Sequence, residues 1–258
     1  MRVSSIQLEV KYDTSKDEMV AHAVEMIDRC KGDDLILLPE LWNVGFFNYE
    51  KYKDSAEPIH GETAEIISKK AKEFGAYIYS GSFVEKRGDK YYNASILFDR
   101  DGNDVAQYRK IHLFSYKCRE AEILTPGEEI TVADTEFGKV GLATCYDLRF
   151  PELFRKMTVE MGAEMFLVTS GWPYPRIEAW NILNQARALE NCAYLISCNC
   201  CGAARSVRLT GHSKIVHPWG YVAAGCGYEE TIVKAEIDPA EVKRVRAEFP
   251  VLRDIRLI

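Results

Sequence analysis

The sequence predicts an α/β layered protein, and three observations carry that expectation. Apolar strand-like runs alternate with amphipathic helical runs, hairpin signals interrupt the alternation, and no repeat or low-complexity linker divides it. Pattern alone reaches this class and no finer one. At 258 residues the chain exceeds the commonest domain size. Proteins of α/β type nevertheless often fold as one unit at roughly 250 residues. Residues 1–258 are therefore read as one domain, with about 239–258 forming a C-terminal helix and short arm.

The elements follow in order. Residues 3–10 alternate as a strand, and Ser15-Lys-Asp-Glu18 forms a capping box ahead of a helix whose apolar face is Val20, Ala23, Val24 and Ile27. LILL at 35–38 reads as a buried strand. A second helix spans about 63–74, with Ile67, Ala71 and Phe74 on one face and Gly75 as its stop. The strand AYIYSGSF comes next. Residues 92–98 and 104–109 flank Arg100-Asp-Gly-Asn103, a hairpin signal, and lead into Lys110. KVGLATC at 139–145 is another buried strand, ending on a cysteine. Beyond it AEMFLVTS is a strand, IEAWNILNQARALEN a helix and CAYLISCN a strand, while SKIVHPWGYVAA makes two strands around a Pro-Trp-Gly turn. Asp238-Pro-Ala-Glu241 opens the last helix, with Asp238 as N-cap and Pro239 in the first turn.

Composition narrows the function classes. A hydrophobic fraction of 47% with 28% charged residues is globular and supplies a sizeable core. The formal net charge of −6 argues against nucleic-acid binding, which needs clustered Lys and Arg to neutralise phosphates. A small-molecule partner fits better. MRVSSIQLEV lacks the pattern of a secretion signal and no apolar run is long enough to span a bilayer, so a cytoplasmic location is expected. The eight cysteines are then free thiols in a reducing compartment. Cys198, Cys200 and Cys201 form CNCC, too tight for a zinc site, and no metal is expected.

Three segments share one design: an apolar strand delivers a reactive side chain at its C-terminal end, where open α/β sheets build their sites. They are LILLPELW with Glu40, QYRKIHLF with Lys110 and GLATCYDLRFPEL with Cys145. Singly, each has an ordinary reading as a solvated acid, a surface lysine or a small buried thiol. Together, a carboxylate, an amine and a thiol suffice for acyl transfer, as base, oxyanion stabiliser and nucleophile.

LLPELW, YRKIHLF and CYDLRFPEL resemble the three signature segments of the carbon–nitrogen hydrolase (nitrilase) family. The resemblance extends through GSFVEKRGDKYYNASILFDRDG, REAEILTPGEE, ARALENCAYLISCN and GHSKIVHPWG, in order along essentially the whole chain. It implies a four-layer αββα sandwich of two mixed sheets packed face to face with helices outside. It also implies a Glu-Lys-Cys triad falling on Glu40, Lys110 and Cys145, with a second glutamate at Glu120; Glu122 is the competing position. No metal or organic cofactor is implied. FPVLRDIRLI resembles the family's C-terminal arm, which implies a homodimer or higher homo-oligomer.

The expected chemistry has Glu40 take the thiol proton, Cys145 attack an amide carbonyl, and the Lys110 ammonium with the backbone N–H of Tyr146 hold the oxyanion. YDLRFPEL, the GWP segment and ARALEN look most like the omega-amidase and small-amidase branch, which hydrolyses short dicarboxylate monoamides such as 2-oxoglutaramate. Such substrates carry a carboxylate that a cation should receive, and Arg149 and Arg176 are the candidates. Either arginine has a plain alternative as the partner of a nearby acid. Trp172, Tyr174, Phe46 and Tyr49 are candidate pocket walls or core. His112, within IHLF, reads as a packing residue rather than a partner for Cys145. Two rival functions stay open: a hydrolase of N-carbamoyl amino acids or other small amides, and a non-catalytic binding member of the family.

Overall fold

The computed structural model describes residues 1–204 and 207–257. Among these, the strands form two six-stranded sheets and a small three-stranded one. The first large sheet runs Thr231–Glu236, Arg2–Gln7, Leu35–Leu37, Tyr77–Arg87, Lys90–Phe98, Asp104–Arg109. The second runs Val222–Gly225, Lys214–Val216, Tyr194–Asn199, Met165–Ser170, Gly138–Thr144, Val132–Thr135. In each, three consecutive strands pair in parallel and the flanking strands are antiparallel. Parallel neighbours need a crossover, and helices Lys16–Asp28, Glu62–Phe74, Pro151–Val159 and Ile177–Asn191 supply it.

Three apolar cores show how the layers stack. Val3, Leu35, Leu37, Tyr79, Leu142, Leu167 and Ile196 meet between the two sheets. Their sequence neighbours Ile36, Leu38 and Ile78 point the opposite way, onto Ala23, Ile27, Ile67 and Ala71 of the first helix pair. On the far side Ala143, Phe166, Val168 and Leu195 pack against Phe154, Met157, Trp180 and Ala188. Helix, sheet, sheet, helix is the resulting order, the expected four-layer sandwich. Full burial of each large aliphatic contributes about 1.5–3 kcal/mol, so truncating an inter-sheet residue such as Leu37 to Ala is expected to cost about 2–5 kcal/mol.

The local signals behave as their chemistry dictates. Ser15 and Glu18 form the reciprocal capping box, and Gly75 ends its helix in the left-handed region at φ 57°. Two expectations need correction. The run 3–10 is not one strand: it breaks after Gln7, and Glu9–Lys11 joins the small sheet beside Cys201–Ala204. Alternation specifies which face a residue takes, and it is silent on a change of partner sheet. Asp238 does not cap the last helix either. That helix is Glu241–Glu248 with Ala240 at its N-cap, and the Asp238 carboxylate accepts the Ala240 N–H at 3.0 Å, closing the turn before it.

Candidate active site

Glu40 lies three residues beyond Leu35–Leu37, Lys110 directly follows Asp104–Arg109, and Cys145 directly follows Gly138–Thr144. The chain reaches Glu40 through a close crossing with Gly81, where a Cβ would stand 2.2 Å from the Pro39 carbonyl oxygen and φ is 64°. Glycine is required there. Cys145 has a positive φ of 48°, a conformation that costs a non-glycine residue of order 1–3 kcal/mol and recurs at functional sites. It turns the chain from strand into the 3-10 segment Cys145–Arg149.

Glu40, Lys110 and Glu120 are all fully buried. The Lys110 ammonium donates to Glu40 Oε1 at 2.8 Å and to both Glu120 oxygens at 2.9 Å. Glu120 is thus the second acid beside Lys110, while Glu122 is exposed and pairs with Arg119 at 3.3 Å. Glu40 Oε2 accepts the Gly171 N–H at 2.7 Å, and Glu120 Oε2 accepts that of Phe114 at 2.7 Å. The Cys145 thiol faces the Glu40 carboxylate, the Lys110 ammonium and the Ser170 hydroxyl.

The charges follow from this packing. Burial works against the Lys110 charge, but Glu120 and Glu40 outweigh it and hold the ammonium well above the ordinary lysine range. Burial pushes the Glu120 carboxyl up against the pull of Lys110. Burial, and then the Glu40 carboxylate, push the Cys145 thiol well above its usual range, with Lys110 and Ser170 acting the other way. The resting nucleophile is therefore a neutral thiol beside a carboxylate, an arrangement suited to proton transfer at the moment of attack.

A cleft of about 270 Å³ opens over Cys145, lined by Phe46, Phe114, Tyr146, Arg149, Gly171, Trp172, Pro173 and Arg176. Arg149 lies over the Trp172 ring at 4.9 Å, and Arg176 over Phe114 and Tyr116 at 5.4 and 5.2 Å. Neither has a carboxylate partner among the described residues, which sets the acid-partner alternative aside. Tyr174 is not brought into the cleft: it packs on Tyr228 at 5.5 Å, with Arg208 over its ring. Its ring is partly exposed and lies against these two residues, a placement that spacing does not reveal. Tyr49 stands behind Phe46 at 6.4 Å and does not line the cleft. His112 stacks on Phe150 at 3.7 Å and its Nδ1 meets Asp147 Oδ1 at 2.7 Å, so it faces away from any pairing with Cys145.

Two site residues escaped the sequence reading. Asn93 donates through Nδ2 to Glu40 Oε1 at 2.8 Å and to Glu120 Oε1 at 3.0 Å. Asp147 accepts from Thr144 N at 2.8 Å, Tyr108 Oη at 2.7 Å and His112 N at 3.0 Å, tying the Cys145 turn to the Lys110 segment. A weak signal existed for the second: Thr144-Cys-Tyr-Asp147 has the spacing with which an acid reaches back to a turn's first N–H. All eight cysteines are unpaired, and among the described residues no group of three or more His, Cys, Asp or Glu is arranged to hold a metal.

Known proteins resemble this chain along nearly its whole length. A 2-oxoglutaramate amidase of Bacillus subtilis is 35% identical over 257 residues, covering 98% of this chain and 97% of its own. Omega-amidase NIT2 of Homo sapiens is 32% identical, covering 99% and 95%. Among solved structures, Saccharomyces cerevisiae Nit3, a member of branch 10 of the nitrilase superfamily, superposes with a TM-score of 0.88 at 30% identity over 97% of this chain and 94% of its own. XC1258 of Xanthomonas campestris, a CN-hydrolase superfamily protein, reaches 0.93 at 27% identity over 100% and 98%. With the family match itself running from residue 2 to residue 247, the chain belongs to the carbon–nitrogen hydrolase family.

Proposed function

We propose that this chain hydrolyses the terminal amide of short dicarboxylate monoamides such as 2-oxoglutaramate, through a thioester on Cys145 and with release of ammonia. The observation that carries the reading is the buried Glu40–Lys110–Glu120 cluster against the Cys145 thiol, at the base of a cleft holding two arginines that have no acid partner among the described residues.

Glu40 takes the thiol proton as Cys145 Sγ bonds to the carbonyl carbon. The oxygen, now negative, is held by the Lys110 ammonium and the backbone N–H of Tyr146, an oxyanion site whose charge is already in place. Glu40 returns the proton to the nitrogen as the carbon–nitrogen bond breaks, and ammonia leaves. Water then gives Glu40 a proton and adds to the thioester; collapse frees the acid and the thiol recovers its proton. One carboxylate serves both halves because each reverses the other's proton transfer. Glu120 keeps Lys110 charged and oriented, and Arg149 and Arg176 receive the distal carboxylate while Trp172 walls the cleft.

The names of the two curated relatives support this substrate class. The test is ammonia release from 2-oxoglutaramate, succinamate, glutamine, N-carbamoyl amino acids and simple nitriles, with Cys145→Ala in parallel. Release from the first two that disappears in the variant is expected; Cys145-dependent release from N-carbamoyl substrates alone would move the assignment to that branch. The reading includes a homodimer in a reducing, cytoplasmic setting. Exposed Val159, Ile182 and Leu189 on the outer helices and the unpaired cysteines support it, and sedimentation at micromolar concentration tests the dimer.

A further inference from the structure

Asn93 takes no part in the steps above, yet its environment is costly to build. It lies within Lys90–Phe98 and is 1% exposed. Its Nδ2 donates to Glu40 Oε1 at 2.8 Å and Glu120 Oε1 at 3.0 Å, the two oxygens that Lys110 Nζ reaches at 2.8 and 2.9 Å. Its backbone oxygen accepts the Lys110 N–H at 2.9 Å. Asn93 therefore grips Lys110 at the main chain and shares both of its acids at the side chain.

The other end of the amide shows what this arrangement gives up. Asn93 Oδ1 is buried and has no hydrogen-bond partner among the described residues. Leaving a buried acceptor unmade is unfavourable, and turning the amide over would set Oδ1 against two carboxylates, which is worse. The orientation is thus dictated by the acids. Two buried carboxylates against one ammonium leave an excess negative charge, and a neutral donor shared between them stabilises it without a second cation that would compete for the thiolate.

Resting on the reading of Glu40, Lys110 and Cys145 as the reacting set, we propose that Asn93 is a positioning residue. Together with Lys110 it fills Glu40 Oε1 with two donors, so that the position left on Oε2, which accepts the Gly171 N–H at 2.7 Å, is the one that exchanges protons with Cys145 and the leaving nitrogen. Its shared donor also holds Glu120 and Glu40 within reach of one ammonium. Its contribution should fall on turnover rather than on substrate binding, since it lies behind the acids and does not line the cleft.

The test uses Asn93→Ala and Asn93→Ser in the full chain, with melting curves to verify folding. Two readouts are taken: kcat and KM on the best amide of the panel, and the rate at which iodoacetamide alkylates Cys145, followed by peptide mass. In Asn93→Ala, kcat is expected to fall about 100-fold, the scale of a misplaced reacting group, with KM within about threefold. Cys145 alkylation near neutral pH should slow about tenfold as the base loses its aim. Asn93→Ser, which keeps one donor, should fall between, and it decides the matter if the alanine variant does not fold. A folded variant with wild-type turnover and alkylation, or a loss confined to KM, overturns the proposal. Alkylation needs no substrate, so the two readings fail separately. If every amide is inert while alkylation is fast in the wild type and slow in the variants, the substrate assignment falls and the role of Asn93 stands.

Discussion

Replacing Lys110 with alanine removes the ammonium from between two fully buried carboxylates, and activity and stability should both respond. Losing an oxyanion donor costs about 100- to 1,000-fold in turnover. Breaking a buried ion cluster by deleting one partner costs about 3–5 kcal/mol; at about 2–4 °C per kcal/mol for a chain of this size, melting should drop by about 6–20 °C. The stability loss also carries a pH signature. Burial already pushes the Glu120 carboxyl up, and Lys110 is the main influence against it, so the variant's Glu120 rises further. A carboxyl raised in the fold keeps its proton where the unfolded chain has lost it. Stability from that group is therefore present below the unfolded value near pH 4.3 and declines as pH climbs toward the folded one. The deficit in melting temperature should widen as pH rises above the unfolded carboxyl value, because Glu120 is forced to ionise without a partner. Parallel melts over a series of pH values above it, with ammonia release as the activity assay, read both effects. A variant that keeps more than about a tenth of wild-type kcat contradicts the oxyanion role. Melting that matches the wild type throughout the pH series contradicts the electrostatic account of the cluster.

Further outcomes follow from the same geometry. Cys145→Ala should have no detectable turnover, and because residue 145 sits at φ 48°, Cys145→Gly should melt higher than Cys145→Ala, by about 1 kcal/mol in stability. Equal melting of the two would show that the turn carries no strain. Arg149→Ala and Arg176→Ala should lower kcat/KM on dicarboxylate monoamides by about 10- to 150-fold for whichever arginine holds the distal carboxylate, the worth of a hydrogen bond to a charged group. A neutral amide of the same length should be affected little, and equal losses on both substrates would point to a packing role. Asp147→Ala strips the acceptor from Thr144 N, Tyr108 Oη and His112 at a fully buried site, so a loss of about 3–5 kcal/mol in urea unfolding is expected. A change below about 1 kcal/mol would mean that these donors find water instead.

Which parts of the site were legible follows from how each residue does its work. Glu40, Lys110 and Cys145 stand at or just beyond strand ends, and each is chemically conspicuous within an apolar run, so local pattern is enough to nominate them. Glu120 is preferred over Glu122 only through the resemblance to the family, and the structure places the one on Lys110 and the other in solvent. Asn93 and Asp147 belong to another kind. Their value lies in contacts spanning 53 residues to Glu40 and 35 to His112, and an asparagine inside a strand or an acid after a cysteine has no local mark of such partners. The same limit explains the split strand at Leu8 and the placement of Tyr174 outside the cleft. Periodicity fixes a face and composition fixes a class, whereas the choice among neighbouring sheets and loops is made by tertiary packing.

The two halves of the sandwich explain why base and nucleophile come from different places. Glu40 follows a central parallel strand of one sheet, whereas Cys145 and Gly171 follow central parallel strands of the other. Parallel strands send their C-terminal ends to one rim, so stacking two such sheets brings two rims together and forms a cleft from loops that share no sequence neighbourhood. Contacts across the seam hold it closed: the Glu40 N–H reaches the Ser170 carbonyl at 3.3 Å, Thr169 Oγ1 reaches the Leu38 carbonyl at 3.1 Å, and the Gly171 N–H reaches Glu40 Oε2. Lys110 and Asn93 arrive from the antiparallel flank of the first sheet, whereas the thiol is carried by the second. The distance that matters for proton transfer is therefore set by the inter-sheet core of Leu35, Leu37, Leu142 and Leu167. The outer core of the second sheet bears on it as well, because Cys145 itself packs there with Leu148, Phe154 and Trp172.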